Sequence, residues 1–362
     1  MIGRPTILFL GGGSDAVPIV ARGIAMGCRA IVLDYAADCP ARYLADEFVL
    51  ASCYDEMDAL NAIGPLRFDA VMCAGVDAPH VAAAIAHEYR LPGASVETAT
   101  MSRDKIAQSR ALKDAGVPVP KSWTGSRPER YDDGMMIVKP ADSRGARGVF
   151  RVPAYQMELV WQQAAKISPT GRVLYQEWVE GTQLSTESII QDGRVLFTAI
   201  AERNYSRLEQ FAPNVIEDGS DMPANELGDP DAGGMRCAVE QAVSLCARAI
   251  GLTTGTLKGD LVWDGWRPVV IEVAARLSGG GFCSLMTPLS LNVDFVGLAI
   301  RQALGETVKS EEIKPYFRQH VCQRFRFPSI VHSHPERGDF VLGFGESRDA
   351  ARQDAARKLE AA

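Results

Sequence analysis

The 362-residue sequence contains no apolar run that approaches the roughly 18 residues needed to cross a membrane. None of its 8 cysteines has the C-x-x-C spacing of zinc or redox sites, so we expect buried thiols in a reducing compartment. The stretch from Met1 to Leu10 is too short for a signal-peptide core, and no cleavage site follows it. Basic residues are fewer than acidic ones, 38 against 45, which argues against nucleic acid or a membrane surface as the main partner. These absences predict a cytoplasmic protein that acts on small molecules.

The chain also shows no internal repeat and no low-complexity tract. Its 47% hydrophobic and 23% charged residues are ordinary for a globular protein. A length of 362 residues predicts about two to three domains. A homodimer is among the expected assemblies.

The first hundred residues alternate short apolar runs with stretches of helical spacing. The run Thr6–Leu10 ends in Gly11-Gly12-Gly13, and a helical pattern follows. Such alternation predicts a parallel sheet covered by helices, hence an α/β domain over residues 1–100. The glycine turn fits a structural or substrate-facing role better than a dinucleotide site, because Val17 and Pro18 stand near the position of the third fingerprint glycine. Further expected elements are strands at Arg29–Leu33, Phe48–Leu50 and Ala70–Cys73, and a helix at His80–Tyr89.

After residue 100 the pattern becomes mostly antiparallel. Asp192-Gly193, between two apolar runs, predicts a β-hairpin. The acidic segment Asn204–Gly233 is expected to be a long loop that shapes an acceptor site, with a disordered segment that has no role as the alternative. The expected strands and helices are Met136–Lys139, Gly148–Val152, Arg172–Val179, Leu184–Gln191, Arg194–Ala201, a helix opening at Ser102–Lys105 with Ser102 or Asp104 as its cap, an amphipathic helix from Met235 to Ile250, and a terminal strand and helix at Phe340–Gly345 and Arg348–Glu360.

The segment Ile137–Val149 brings a lysine to the end of a strand. Pro140 keeps the backbone extended directly after Lys139, and the loop that follows contains Gly145 and Gly148. A lysine beside a flexible glycine loop suits the binding of nucleotide phosphates. Taken alone, the segment also fits a plain hairpin with a solvated lysine.

A second candidate segment, Tyr175–Ser185, passes from one strand to another through Gly181. Its backbone N–H and C=O groups are suited to reading the flat edge of a base. Without the other segments it is only a strand, a turn and a strand.

Two apolar strands each carry one carboxylate, Asp260 and Glu272. A carboxylate in such a strand is costly unless it is paired or coordinated, so Mg²⁺ shared with phosphates is the natural partner and a salt bridge to Lys258 is the alternative. A two-residue Asp264-Gly265 turn would place Asp260 opposite Val269 and Glu272 on the other face. A shared ion therefore requires a connection of odd length or a β-bulge.

Arg276 follows Glu272 and leads into a run of glycines. Its planar guanidinium suits a phosphate or carboxylate, and the glycines let a ligand approach the backbone. The candidate substrate contacts are Gly12, Gly13, Arg276, Ser278, Gly279 and Gly280.

Taken in order, these segments resemble the ATP-grasp superfamily over nearly the whole chain. The resemblance implies an α/β fold of ATP-grasp architecture, with an amino-terminal doubly wound parallel-sheet domain at residues 1–100 and a two-lobed α+β ATP-binding region. The small lobe with its glycine-rich flap is expected at residues 101–180. The large lobe, with a carboxy-terminal strand-helix extension, is expected at residues 181–362. The implied cofactors are ATP and Mg²⁺, with Mn²⁺ as an alternative ion.

The resemblance also assigns roles to single residues. Lys105 and Lys139 correspond to lysines that hold ATP phosphates, and Lys139 and Arg276 are the implied catalytic residues. Asp260 and Glu272 correspond to the metal ligands. The implied ATP contacts are Lys105, Lys139, Ser143, Arg144, Gly145, Gly148, Gln176, Glu177, Trp178, Val179 and Gln183.

Three positions depart from the family pattern. Gln183 stands where many relatives have an acidic residue for the ribose hydroxyls. Ala274 replaces the asparagine between the family's glutamate and arginine, which removes one oxygen ligand for the metal. Arg144 and Arg147 replace small residues in the flap and add positive charge above the phosphates or on the outside.

The implied reaction is attack of a small-molecule carboxylate on the γ-phosphate of ATP, giving an acyl phosphate that an amine then attacks. Alignment and charge neutralisation suffice for such chemistry, which agrees with the absence of a nucleophile–base motif. One alternative is a relative that phosphorylates bicarbonate or formate. Another is a nicotinamide-dependent oxidoreductase that uses Gly11–Gly13.

Overall fold

The computed structural model describes residues 3–125, 134–224, 233–327 and 339–361. Three β-sheets of four, four and seven strands form its framework. They lie within the three segments predicted as separate domains, whose boundaries stay a prediction. None of the helices in the described ranges combines the length and apolarity of a membrane span.

The first sheet is parallel, with strand order β3-β2-β1-β4. β1 is buried along its whole length, because its apolar side chains face helices on both sides of the sheet. The predicted doubly wound α/β arrangement of this region is confirmed. The strands are β1 (Thr6–Leu10), β2 (Arg29–Asp34), β3 (Glu47–Leu50) and β4 (Ala70–Cys73).

The second sheet is antiparallel, with strand order β5-β8-β6-β7. A helix that the sequence analysis missed, α6 (Met157–Ile167), packs on it through Met157, Val160 and Ala164. The strands are β5 (Ser122–Thr124), β6 (Met135–Pro140), β7 (Phe150–Pro153) and β8 (Val173–Glu177).

The third sheet is antiparallel, with strand order β13-β12-β9-β10-β11-β14-β15. The predicted Asp192-Gly193 hairpin joins β9 and β10, and both turn residues have positive φ, 51° and 74°. The strands are β9 (Thr182–Gln191), β10 (Arg194–Asn204), β11 (Gly219–Met222), β12 (Gly255–Trp263), β13 (Pro268–Ala274), β14 (His320–Phe325) and β15 (Phe340–Gly345).

Eleven α-helices in the described ranges cover the sheets. Of the two predicted caps for the helix near residue 104, the structure uses Asp104, whose carboxylate accepts hydrogen bonds from the N–H groups of Ile106 and Ala107. The helices are α1 (Ala16–Ala25), α2 (Glu56–Ile63), α3 (Pro79–Tyr89), α4 (Val96–Arg103), α5 (Lys105–Asp114), α6, α7 (Leu208–Phe211), α8 (Gly233–Ala249), α9 (Thr287–Leu291), α10 (Phe295–Ala303) and α11 (Arg348–Glu360).

The prediction of a continuous loop at Asn204–Gly233 was wrong in its described part. The short helix α7 and the buried strand β11 lie within it. The sequence pattern did not predict β11 because the strand is polar. Its Asp221 is only 2% exposed, and ion pairs with Arg324, Arg348 and Arg352 compensate the burial of its charge. Residues 225–232 of the segment lie outside the described residues.

Candidate functional site

One face of the seven-stranded sheet gathers charged side chains from neighbouring strands. Asp260 on β12 is paired with Ser185 on β9, and Lys258 on β12 is paired with Glu187. Side chains two residues apart on a strand share a face, so Lys258, Asp260 and Glu187 lie on the same side. This charged face is the centre of the candidate site.

Asp260 and Glu272 are partners in the β12–β13 register. The register shifts between Asp260 and Leu261, whereas Trp263 lies opposite Pro268 at the turn. Of the two routes predicted from the sequence, the structure takes the β-bulge. The two candidate metal ligands are therefore brought to the same place.

Cations surround this carboxylate pair. The Nζ atom of Lys258 contacts Asp260 Oδ2 and lies 4.0 Å from Glu272 Oε1. The Nζ atom of Lys105 is 3.7 Å from Glu272 Oε2. Arg203 Nη1 lies 3.1 Å from Asp260 Oδ1, and Arg203 Nη2 donates to Glu217 Oε2 at 2.9 Å. The salt bridge to Lys258 that the sequence left as an alternative is thus present in the structure.

Glu272 stays ionised in this setting. Burial alone would raise its pKa, but Lys105, Lys258 and Lys139 outweigh burial and lower the pKa. Lys139, at the end of β6, is 3% exposed. Burial lowers the pKa of Lys139 to about 8, although Glu272 opposes the change. Lys105, Lys139 and Lys258 therefore all lie close enough to Glu272 to act on its charge.

The glycine-rich loop after β6 is connected to this cluster. Lys105 Nζ donates to the carbonyl of Ser143 at 2.7 Å. Gly148 has a φ of 74°, and a Cβ there would lie 2.9 Å from Ile167 Cδ1, so the turn requires glycine. Gly145 also has positive φ, 62°. The guanidinium of Arg144 stacks on the ring of Tyr54 at 3.6 Å, so in this structure it contacts the first domain.

The predicted adenine-reading residues line the end of β8 and the start of β9. Gln176 is buried and donates from Nε2 to Ser122 Oγ at 3.1 Å. Glu177 forms an ion pair with Lys121 at 3.5 Å. The ring of Trp178 lies under Arg151 at 5.0 Å, and its Nε1 is buried without a hydrogen-bond partner. Val179 follows β8, and Gln183 on β9 is paired with Val262.

The candidate substrate residues lie where the first domain meets the glycine run after β13. Arg276 Nε donates to Asp77 Oδ1 at 2.8 Å, and Nη1 donates to the carbonyl of Leu277. Burial opposes ionisation of Asp77, but Arg276 outweighs burial and lowers its pKa. The sequence analysis did not identify Asp77, because its partner Arg276 lies 199 residues away along the chain.

Two of the predicted substrate-binding N–H groups are already engaged. Gly12 N donates to Asp34 Oδ2 at 2.7 Å, and Gly280 N donates to Asp15 Oδ2 at 2.8 Å. A Cβ at Gly279 would lie 2.6 Å from Asp15 Oδ2, whereas a Cβ at Gly13 would meet no atom within 4 Å. In the turn at Gly11–Gly13, the N–H of Gly12 is therefore occupied by an internal carboxylate, whereas the space at Gly13 is open.

Glu187, like Asp77 and Arg203, is a residue of the site that the sequence analysis missed. It is fully buried, and its Oε1 accepts a hydrogen bond from Ser278 N at 2.8 Å. Burial raises the pKa of Glu187 to about 7, although Ser278 and Arg276 act in the opposite direction. The criterion that marked Asp260 and Glu272, a carboxylate in an apolar strand, does not single out Glu187, because it stands between Thr186 and Ser188 in a largely polar strand.

The donor set fits a hard divalent cation that is shared with phosphates. Among the residues with described positions, no group of three or more His, Cys, Asp or Glu side chains could hold a metal unaided. Asp260 Oδ1 contacts Arg203 as an ion pair, yet it is buried without a hydrogen bond. Mg²⁺ commonly takes one or two carboxylates and completes its shell with water and substrate phosphates. Asp260 and Glu272 would supply these carboxylates.

Comparison with known proteins agrees with this geometry. Residues 102–280 match the model of an ATP-grasp domain, and this range contains Lys105, Lys139, Asp260 and Glu272. An L-amino acid ligase from Bacillus licheniformis has a similar structure, with a TM-score of 0.79 and 18% identity over 100% of this chain and 98% of the other. At that identity the likeness shows the fold alone.

Two relatives are similar in sequence over part of their length. An uncharacterized protein of Sinorhizobium fredii, y4rH, is 30% identical over 61% of this chain and 46% of its own length. An N5-carboxyaminoimidazole ribonucleotide synthase of Staphylococcus aureus is 30% identical over 32% of this chain and 30% of its own length. The matched stretches thus cover less than half of either relative.

Proposed function

This chain belongs to the ATP-grasp superfamily through the domain at residues 102–280, and we propose that it is an ATP- and Mg²⁺-dependent ligase. In the proposed reaction, a small-molecule carboxylate becomes an acyl phosphate and is coupled to an amine, with release of ADP and phosphate. The observation that carries the proposal is the convergence of Lys105, Lys139 and Lys258 on the Asp260–Glu272 pair.

The charges of this cluster suit a nucleotide polyphosphate. Bound ATP with Mg²⁺ would supply the phosphoryl group and a cation that bridges its oxygens. Asp260 and Glu272 would hold that cation. Lys139 is buried beside Glu272 and Lys105, so its charge acts in a medium that screens it weakly. Its role is to bind phosphate oxygens and to stabilise the charge that develops during transfer.

Arg276 would act on the other reactant. Two of its N–H groups bind Asp77 and the Leu277 carbonyl, which fixes the plane of the guanidinium. Its remaining N–H groups are available to a carboxylate or to a phosphoryl oxygen. The flap contact between Arg144 and Tyr54 joins the small lobe to the first domain, and such closure would keep water from an acyl phosphate.

A carboxylase is the second candidate, favoured by the sequence similarity to N5-carboxyaminoimidazole ribonucleotide synthase. The same ATP site would phosphorylate bicarbonate. Incorporation of carbon from labelled bicarbonate into the product would identify this reaction.

A matrix of acids and amines, scored by release of ADP, tests the proposed function. We expect release only when ATP, Mg²⁺ and one particular acid are present together, and amide formation when the matching amine is added. ADP release that requires bicarbonate and no other acid would favour the carboxylase instead.

A further inference from the structure

Each of the four carboxylate oxygens of Asp260 and Glu272 faces a cationic nitrogen of the chain. Arg203 Nη1 lies 3.1 Å from Asp260 Oδ1, and Lys258 Nζ contacts Asp260 Oδ2. Lys258 Nζ also lies 4.0 Å from Glu272 Oε1, and Lys105 Nζ lies 3.7 Å from Glu272 Oε2. A divalent cation that binds this pair must therefore compete with positive charges that the protein itself supplies.

Lys258 is the cation among these that lies beside both carboxylates. Its side chain is 13% exposed, and it stands two residues before Asp260 on β12, so the two side chains share one face of the sheet. Arg203 and Lys105, in contrast, each also bind an oxygen outside the pair. The ammonium of Lys258 is therefore the direct rival of a metal ion shared by the two carboxylates.

The setting of the pair makes this rivalry strong. Asp260 is buried, so water screens the charges beside it only weakly. Mg²⁺ dehydrates reluctantly and requires anionic oxygens in exchange for its water. Within the described ranges, no group of three or more His, Cys, Asp or Glu side chains could add such ligands without help. The protein alone should therefore bind a divalent cation weakly.

A nucleotide polyphosphate would reverse the competition. Its oxygens offer the ammonium of Lys258 an anionic partner, and they offer a metal ion additional ligands. Asp260 and Glu272, released from the lysine, are then available to the metal. Because coupling between two ligands is reciprocal, nucleotide strengthens metal binding by the same factor by which metal strengthens nucleotide binding.

We propose that Lys258 is a counter-ion that competes with the divalent metal for Asp260 and Glu272, and so makes metal binding depend on nucleotide. The inference rests on the proposed ATP site and adds a coupling role for one of its lysines. In this role Lys258 is a positioning residue, because it acts on the metal through the two carboxylates.

The test measures two affinities that Lys258→Met should move in opposite directions. Mn²⁺ is titrated without nucleotide, and the electron paramagnetic resonance signal of the free ion reports how much is bound. Loss of the competing charge should tighten Mn²⁺ binding by about tenfold or more. ATP is titrated separately in EDTA by calorimetry, and loss of a phosphate partner should weaken its binding by about tenfold. A merely structural role for Lys258 would weaken both.

Controls locate the effect at the carboxylate pair. Lys113→Met, which replaces an exposed lysine of α5, should leave both affinities unchanged. Adding Asp260→Asn to Lys258→Met should abolish the gained Mn²⁺ binding. Should Lys258→Met not fold, Lys258→Gln keeps a hydrogen-bond donor for Asp260 without the charge, and the same opposite shifts are expected.

The outcomes separate this role from the proposed function. Wild-type Mn²⁺ binding as tight as that of Lys258→Met would overturn the proposal, as would a change of both affinities in the same direction. If the wild-type protein binds no ATP with or without metal, the proposed function fails and the coupling fails with it. If ATP binds but no acid supports ADP release, the ligase assignment fails, while the two binding measurements still decide the role of Lys258.

Discussion

Asp260 lies directly opposite Glu272 because β13 carries one extra residue relative to β12. Without that bulge the turn at Asp264 would set the two side chains on opposite faces of the sheet. Because they lie opposite each other, the two carboxylates can reach the same cation. The bulge is thus the local feature on which the proposed metal site depends.

Glu272→Gln should weaken the dependence of turnover on Mg²⁺. The substitution preserves shape but removes one hard anionic ligand, so the Mg²⁺ concentration for half-maximal ADP release should rise by about tenfold or more. Titration of Mg²⁺ at saturating ATP measures this. A variant with the wild-type Mg²⁺ response would show that Glu272 is not a ligand.

Lys139→Met should fold and lose activity. Methionine keeps much of the apolar stem of a buried lysine while removing its charge, so ATP turnover should fall by about two orders of magnitude or more. Lys113→Met, an exposed lysine of α5, is the matched control. Wild-type turnover in a folded Lys139→Met protein would refute the phosphate-binding role.

The same lysine predicts a pH effect on ATP binding. Its pKa is lowered to about 8, so the free protein loses the Lys139 charge as pH rises through that value. The KM for ATP should therefore increase above about pH 8 in the wild type. In Lys139→Met this increase should be absent. An equal rise in both proteins would assign the effect to another group.

Glu187→Gln should be more stable than the wild type at alkaline pH. The folded pKa of about 7 exceeds the ordinary 4.5, so the folded state binds this proton more tightly than the unfolded state. Wild-type stability then decreases as pH rises from about 4.5 to about 7, by roughly 3 kcal/mol. Urea unfolding at pH 5 and pH 8 should show the variant's advantage only at pH 8. An equal difference at both pH values would contradict the pKa shift.

Asp104→Ala should destabilise the protein and disturb nucleotide binding together. Asp104 caps the helix that begins at Lys105 and pairs with Arg172 at 2.8 Å. Loss of the cap should cost about 1 to 2 kcal/mol and loosen the position of Lys105. Ser347→Ala removes the cap of α11 and should lower stability without changing the KM for ATP. Equal effects of both variants on that KM would argue against the link to Lys105.

The fold and the charged centre were largely predictable, because local patterns encode them. Lys139, Asp260 and Glu272 stand at or within apolar strands, where a charge is costly unless it is paired or coordinated. Arg203 and Asp77 were not predictable, since their partners lie far away along the chain and become neighbours only through sheet topology. The strand β11 was not predicted because it lacks the apolar side chains that usually mark a buried strand. Ion pairs to Asp221 compensate its burial instead.

The most direct test of the account follows oxygen from the substrate acid. The acid found in the ADP-release matrix is labelled with oxygen-18 in its carboxylate, and the reaction is run with ATP, Mg²⁺ and the amine. Formation of an acyl phosphate requires one labelled oxygen in the released phosphate, with ADP as the other product. Label found in AMP and absent from phosphate would mean adenylation and would contradict the proposed mechanism.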